Sequence, residues 1–197
     1  MLPDGRSLAS IFAEPLDVDL RFGVERIRSR DDPSDARATA LRPGRAALRT
    51  LRAEVEGRAL TEDLEFPHPR YSLSHSRDVA VAVADASASL AGIGVDVEIE
   101  RTLKSQAARF FLTDRERRWL ETADRARHSD HLLRLWCIKE AVFKANPDND
   151  GTLLGNYQLD DAAASCGAAR TREGRLVEYA SWIDARTCVA VAVCRRG

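Results

Sequence analysis

Two short segments hold the side chains whose types and spacing could do chemistry: Gly94-Val95-Asp96-Val97-Glu98 and Trp136-Cys137-Ile138-Lys139-Glu140-Ala141-Val142-Phe143-Lys144. In the first, strand alternation points Val95, Val97 and Ile99 one way and Asp96 and Glu98 the other. The two carboxylates then stand roughly 6.5–7 Å apart on one face. Carboxylates that close repel, and a hard cation removes the conflict. Mg2+ takes a few carboxylate oxygens and fills its octahedron with water and phosphate oxygens. The same alternation also describes the solvated outer face of an edge strand. In the second segment Trp136, Glu140 and Lys144 recur at i, i+4 and i+8 and share a helical face, with Lys139 about 100° round on its flank. That face could give a metal its third carboxylate and phosphate oxygens two lysines. An ordinary Glu140–Lys144 helix pair, worth about 0.3–0.5 kcal/mol, fits the spacing as well. Trp136 is expected to pack.

Ser72-Leu73-Ser74-His75-Ser76 precedes the valine-rich run that starts at Val79. Read as a turn, its small hydroxyls and backbone N–H groups suit an anion, and the histidine can donate to a phosphate. A serine-rich turn with a solvent histidine is the plainer alternative. Ser74 and His75 do not make a hydrolase pair. They lack a G-x-S-x-G elbow, and triad partners meet through the fold rather than as sequence neighbours. Gly92-Ile93-Gly94 leads into a strand and lacks the third glycine and helix of a dinucleotide fingerprint.

These segments need elements to position them. Residues 16–28 alternate loosely and suggest an early strand, while 26–43 do not separate loop from helix start. Leu48, Leu51 and Val55 form a helical stripe over 45–55, with Arg45, Arg49 and Arg52 on other faces. Residues 78–84 and 93–99 read as strands, joined through 85–91 as an antiparallel hairpin. Residues 106–112 are helical, Thr113-Asp114-Arg115-Glu116 has the form of a capping box, and a long helix spans 129–145 until Pro147 and Gly151 stop it. Two or three strands close the chain, the last over 188–193. Val79–Val83 and Val189–Val193 repeat the same valine–alanine alternation. Either this is chance in an alanine-rich chain, or it marks two similar α+β halves with a ligand cleft between them.

The composition narrows the function classes. The 197 residues are 44% hydrophobic and 31% charged, a globular balance that can bury a core. A net charge of -1 gives no overall pull toward nucleic acid or anionic membrane. Lys104, Lys139 and Lys144 are the only lysines among 30 basic residues, so two within one short segment stand out. The four cysteines have neither C-x-x-C pairing nor metal-ligand spacing, and Cys188 and Cys194 lie too far apart on one strand to bridge. No run reaches the length of a membrane span, and the start does not read as a signal peptide. The expectation is a soluble, cytoplasmic protein with reduced thiols.

The order S-L-S-H-S, then G-V-D-V-E, then W-C-I-K-E-A-V-F-K resembles the 4′-phosphopantetheinyl transferases of the larger, surfactin-synthetase-activating (Sfp) type. Phe110-Phe111 and Thr113 to Glu116 resemble that family's F-F-(x)-x-x-E stretch. The likeness runs over about residues 71–145. Ser72 stands where the family has asparagine, and the family's G-x-P-x-x-P is reduced to Phe66-Pro67-His68-Pro69. The resemblance implies an α+β pseudo-dimer of two similar halves, 1–91 and 92–197, each a small antiparallel sheet packed with a long helix. Coenzyme A would lie in the cleft between them. It further implies Mg2+ held by Asp96, Glu98 and Glu140, with Lys144 reaching the diphosphate. Ser74, His75 and Lys139 would lie near the cofactor, and Arg49 and Arg45 would meet its 3′-phosphate. The partner implied is an apo acyl or peptidyl carrier protein, docking around 110–120, and the state implied is a monomer rather than the trimers of half-length relatives. Glu140 and Lys144 would carry the catalysis. A coenzyme A-binding protein without transfer is the first alternative. An arginine-rich nucleic-acid-binding module is the second, and the balanced charge and sparse aromatics speak against it.

Overall fold

A computed structural model describes residues 2–26, 36–59, 61, 63–185 and 187–197, with side chains in the first long helix from Gly44 onward. The elements run helix α1 (Gly5–Leu16), strand β1 (Leu20–Arg26), helix α2 (Ala36–Glu56), strands β2 (Tyr71–Ser76), β3 (Val79–Asp85) and β4 (Leu90–Ile99), helices α3 (Ala108–Phe111), α4 (Asp114–Thr122) and α5 (His128–Ala145), and strands β5 (Gln158–Leu159), β6 (Cys166–Arg170), β7 (Leu176–Asp184) and β8 (Thr187–Arg195). The fold is α+β, and both of its sheets are antiparallel. One sheet has the order β1-β3-β2, the other β4-β8-β7-β6-β5. Among the described residues no helix is long and apolar enough to cross a membrane.

The valine–alanine alternation explains how the layers stack. Val79, Val81 and Val83 of β3 join Ile93, Val95 and Val97 of β4 and Val189, Val191 and Val193 of β8 in one core between the two sheets. The alternate alanines face outward, where helices lie close. Ala80, Ala82 and Ala84 sit beneath Ala47, Leu48 and Leu51 of α2, and Ala190 and Ala192 beneath Leu135, Ile138 and Val142 of α5. Where α5 crosses β4, even a methyl is too large. A Cβ on Gly94 would lie 2.0 Å from the Ala141 carbonyl oxygen, and one on Gly92 2.0 Å from that of Ala145. The two valine runs of the sequence therefore occupy equivalent places. Each is the middle strand of a strand–helix–strand–strand unit, β1-α2-β2-β3 or β4-α5-β7-β8.

Several expectations are corrected. The early strand starts at Leu20, not at residue 16, because α1 takes the residues before it; it is described as far as Arg26. Asp4 caps that helix by accepting from the Ser7 N–H at 2.8 Å, and Leu8, Phe12 and Leu16 bury its apolar side. The boundary between loop and helix within 26–43 falls largely on residues 27–35, outside the described residues. β3 and β4 do not form a hairpin; they belong to different sheets. The buried Asp85 carboxylate accepts from the N–H groups of Ser87, Ser89 and Leu90 and from the Ser87 hydroxyl. That turn sends the chain across to the second sheet. Ser72–Ser76 is strand rather than turn, paired with β3 so that Ser74 lies opposite Val81. Among the described residues four strands, not two or three, follow α5. The capping box at Thr113 and Glu116 is present.

Candidate functional site

The site grows from the seam where β2 lies alongside β4. β4 is the edge strand of its sheet, so its outward N–H groups need partners. Ser72, Ser74 and Ser76 alternate onto one face of β2 and meet them. Ser72 Oγ accepts from the Val95 N–H at 3.0 Å and Ser76 Oγ from the Ile99 N–H at 3.1 Å. The same hydroxyl row reaches the acids. Ser74 donates to Asp96 Oδ1 at 2.8 Å and Ser76 to Glu98 Oε2 at 3.1 Å. Asp96 and Glu98 are only 5% and 7% exposed, which removes the solvated-face alternative.

Helix α5 closes the site from above. Lys144 donates to Asp96 Oδ1 at 2.8 Å and to the Val95 carbonyl at 3.1 Å. Burial works against the charge on Lys144, but the adjacent Asp96 outweighs it and holds the ammonium above its ordinary pKa. Glu140, half-buried on the same helical face, has its pKa raised above the ordinary glutamate value, first by burial and then by the charge on Asp96. Trp136 does more than pack: its indole N–H donates to Glu98 Oε1 at 3.0 Å. Arg101, just past the end of β4, donates to the same oxygen and lies over the Trp136 ring, 4.5 Å from its centroid.

A cation would fit this acidic pocket. Asp96 Oδ2 is buried and has no hydrogen-bond partner, and Glu140 gains negative potential from Asp96. An orphaned carboxylate oxygen in such a place calls for a positive ligand. As the side chains stand, no three His, Cys, Asp or Glu groups among the described residues converge on one metal point. Lys144 and Arg101 supply the counter-charge instead.

A cleft of about 420 Å³ opens beside the carboxylates, walled by both units. Arg45 of α2, Phe66, Pro67 and Leu73 form one side, and Phe143, Lys144 and Asn149 the other. Lys144 thus belongs to the cleft and to the acidic cluster at once. Arg45 is half-buried and donates to the Thr61 carbonyl at 2.8 Å. Arg49, one turn on, is exposed, as is His75, which shares the Leu73 face of β2.

Lys139 does not join the group. Its side chain is fully buried, ion-paired with Glu116 at 2.8 Å and donating to the Tyr157 carbonyl. Glu116 in turn accepts from the Leu159 N–H and, closing the α4 capping box, from that of Thr113. Ser74 likewise faces Asp96 rather than open space. Sequence reasoning missed Arg101, Ser76 and the aromatic wall of Phe143. Ser76 carried a signal, having the same strand parity as Ser72 and Ser74; Arg101 carried none beyond its closeness to Glu98.

The sequence model of the 4′-phosphopantetheinyl transferase superfamily matches residues 92–191, just over half of the chain. No curated protein matches the chain. Among solved structures, the chain is similar to the holo-[acyl-carrier-protein] synthase of Thermotoga maritima, with 22% identity and a TM-score of 0.43. That match covers 55% of this chain and 65% of the other, so the chain spans less than two thirds of that structure's length.

Proposed function

The chain belongs to the 4′-phosphopantetheinyl transferase superfamily, and on that footing we propose that it moves the 4′-phosphopantetheine arm of coenzyme A onto a serine of an apo acyl or peptidyl carrier protein. The products are the holo carrier and adenosine 3′,5′-bisphosphate. The bond formed joins the serine oxygen to the β-phosphorus, and the bond broken is that phosphorus to the bridging oxygen of the diphosphate. The observation that carries the reading is Lys144, one side chain that lines the cleft and pairs with Asp96. It ties a pocket in the size range of small-molecule sites to the acidic pocket beside it.

Asp96, Glu98 and Glu140 would hold Mg2+, which when bound neutralises charge on the diphosphate. Lys144 binds a diphosphate oxygen from the cleft side. Glu140 takes the proton of the incoming serine. Arg45 and Arg49 meet the 3′-phosphate from α2, with His75 at the adjoining edge of β2, while Ser74 orients Asp96. The aromatic and aliphatic wall of Phe66, Leu73 and Phe143 suits the adenine and the pantetheine chain. Two strand–helix–strand–strand units in one chain support the larger type of the family, acting as a monomer in the cytoplasm. Its halves, 1–91 and 92–197, would close on the cofactor. Phe110, 67% exposed, supports carrier docking on the 110–120 stretch.

Incubation with coenzyme A, Mg2+ and a set of apo carriers, followed by mass spectrometry of the carriers, tests the reading. One phosphopantetheine added to at least one carrier is expected. Unmodified carriers throughout would overturn it.

A further inference from the structure

Glu98 and Asp96 are neighbours on β4 but stand in opposite conditions. Both Glu98 oxygens are engaged, Oε1 by Trp136 and Arg101 and Oε2 by Ser76. One Asp96 oxygen has no partner. The three donors on Glu98 also differ in kind. Ser76 is buried on β2, and Trp136 is packed edge-on against Phe111, ring centroids 5.1 Å apart. Both are neutral. Arg101 is the one cation among them, and its side chain is 42% exposed.

We propose that Arg101 is a displaceable counter-ion. It neutralises Glu98 in the free protein and yields the carboxylate to a divalent cation, pivoting on the Trp136 ring. This rests on the reading of Asp96, Glu98 and Glu140 as a cation site. Two buried acids with a half-buried third beside them cannot all stay charged and uncompensated. Lys144 offsets one of them, at Asp96, and Arg101 a second. A doubly charged ion placed between the acids removes that need and repels the guanidinium. Departure costs Arg101 little, because it is already half in water and keeps its stacking contact with the indole. Ser76 and Trp136 remain on Glu98 and keep it aimed. The arginine therefore competes with the cation for one oxygen and weakens cation binding by about the strength of a half-exposed ion pair, roughly fivefold.

Titration of the full chain with Mn2+, followed by the loss of the free-ion electron paramagnetic resonance signal, tests this. Arg101→Gln is expected to bind Mn2+ about fivefold more tightly than the unaltered chain. Arg77→Gln removes an equal charge from the exposed Arg77–Glu100 pair close by and is expected to change nothing. Arg101→Gln binding no more tightly, or Arg77→Gln tightening as much, overturns the counter-ion role. Glu98→Gln separates the two levels. If it weakens Mn2+ binding while Arg101→Gln fails to tighten it, the counter-ion role alone falls. If it binds like the unaltered chain, the cation-site reading falls and takes the proposal with it.

Discussion

The two strand–helix–strand–strand units share a plan and differ in what they hold. In each, a glycine of the first strand lies beneath an alanine of the helix, Gly23 under Ala47 and Gly94 under Ala141. In each, that glycine pairs with an alanine of the middle strand, Ala82 or Ala192. Counting from these anchors, Asp96 corresponds to Glu25, Glu140 to Ala46 and Lys144 to Thr50. Even the buried Lys139 has a counterpart in Arg45, and each donates to a carbonyl of the segment after its helix. Only the second unit has the full set of charged groups.

Burial divides them as sharply as residue type. Glu25 is exposed, whereas Asp96 is buried. The free edge of β4 is covered by the serines of β2, while the corresponding approach of β7 to β1 is filled by α1, which packs against both strands. One seam thus desolvates its acids and the other does not. On the proposed function the second unit would supply the chemistry, while the first supplies one wall of the cleft and the serine row bonded to the acids.

The largest effect expected from breaking this plan comes at the glycines. Gly94→Ala places a methyl 2.0 Å from a helix carbonyl oxygen, while at Gly23 the same contact is 2.7 Å. Urea unfolding should give a loss above about 4 kcal/mol for Gly94→Ala and about half that for Gly23→Ala. Equal losses would mean that the two helices sit equally close. Next comes Lys139→Met, which leaves Glu116 buried and unpaired and should cost about 3 kcal/mol in the same measurement. A normal unfolding midpoint with lost coenzyme A binding would return Lys139 to the site.

Asp85 tests the corner between the units. Burial would raise its pKa, but the Ser87, Ser89 and Leu90 donors outweigh this and hold it below the ordinary aspartate value. A carboxylate with a depressed folded-state pKa stabilises fully above its unfolded pKa, near 3.9, and loses that contribution as pH falls through the folded value. Asp85→Asn should therefore cost about 2 kcal/mol at pH 7. The gap should narrow on acidification below pH 4. A gap independent of pH would show that the charge contributes nothing.

Much of this was legible in the sequence where one face of an element is apolar. The valine runs, the α5 stripe and the capping box all follow from periodicity, and the G-V-D-V-E and W-C-I-K-E-A-V-F-K segments do meet in space. Ser72–Ser76 does not read as strand because its buried face meets a polar seam instead of a hydrophobic core, so its alternation is of serines rather than of apolar residues. Lys139 was misread because helical spacing places it on the flank of Glu140 without showing that α4 covers that flank. Arg101 depends on the chain path after β4, which no local pattern encodes.

The central claim is that chemistry resides in the second unit and at one seam only. Initial rates of carrier modification, measured by mass spectrometry for Asp96→Asn beside Glu25→Gln, test it most directly. The account predicts a loss of about a thousandfold for Asp96→Asn, the scale expected when a group that stabilises developing charge is removed, and a rate within about twofold of the unaltered chain for Glu25→Gln, as for most exposed substitutions. Equal losses, or an active Asp96→Asn, would contradict it.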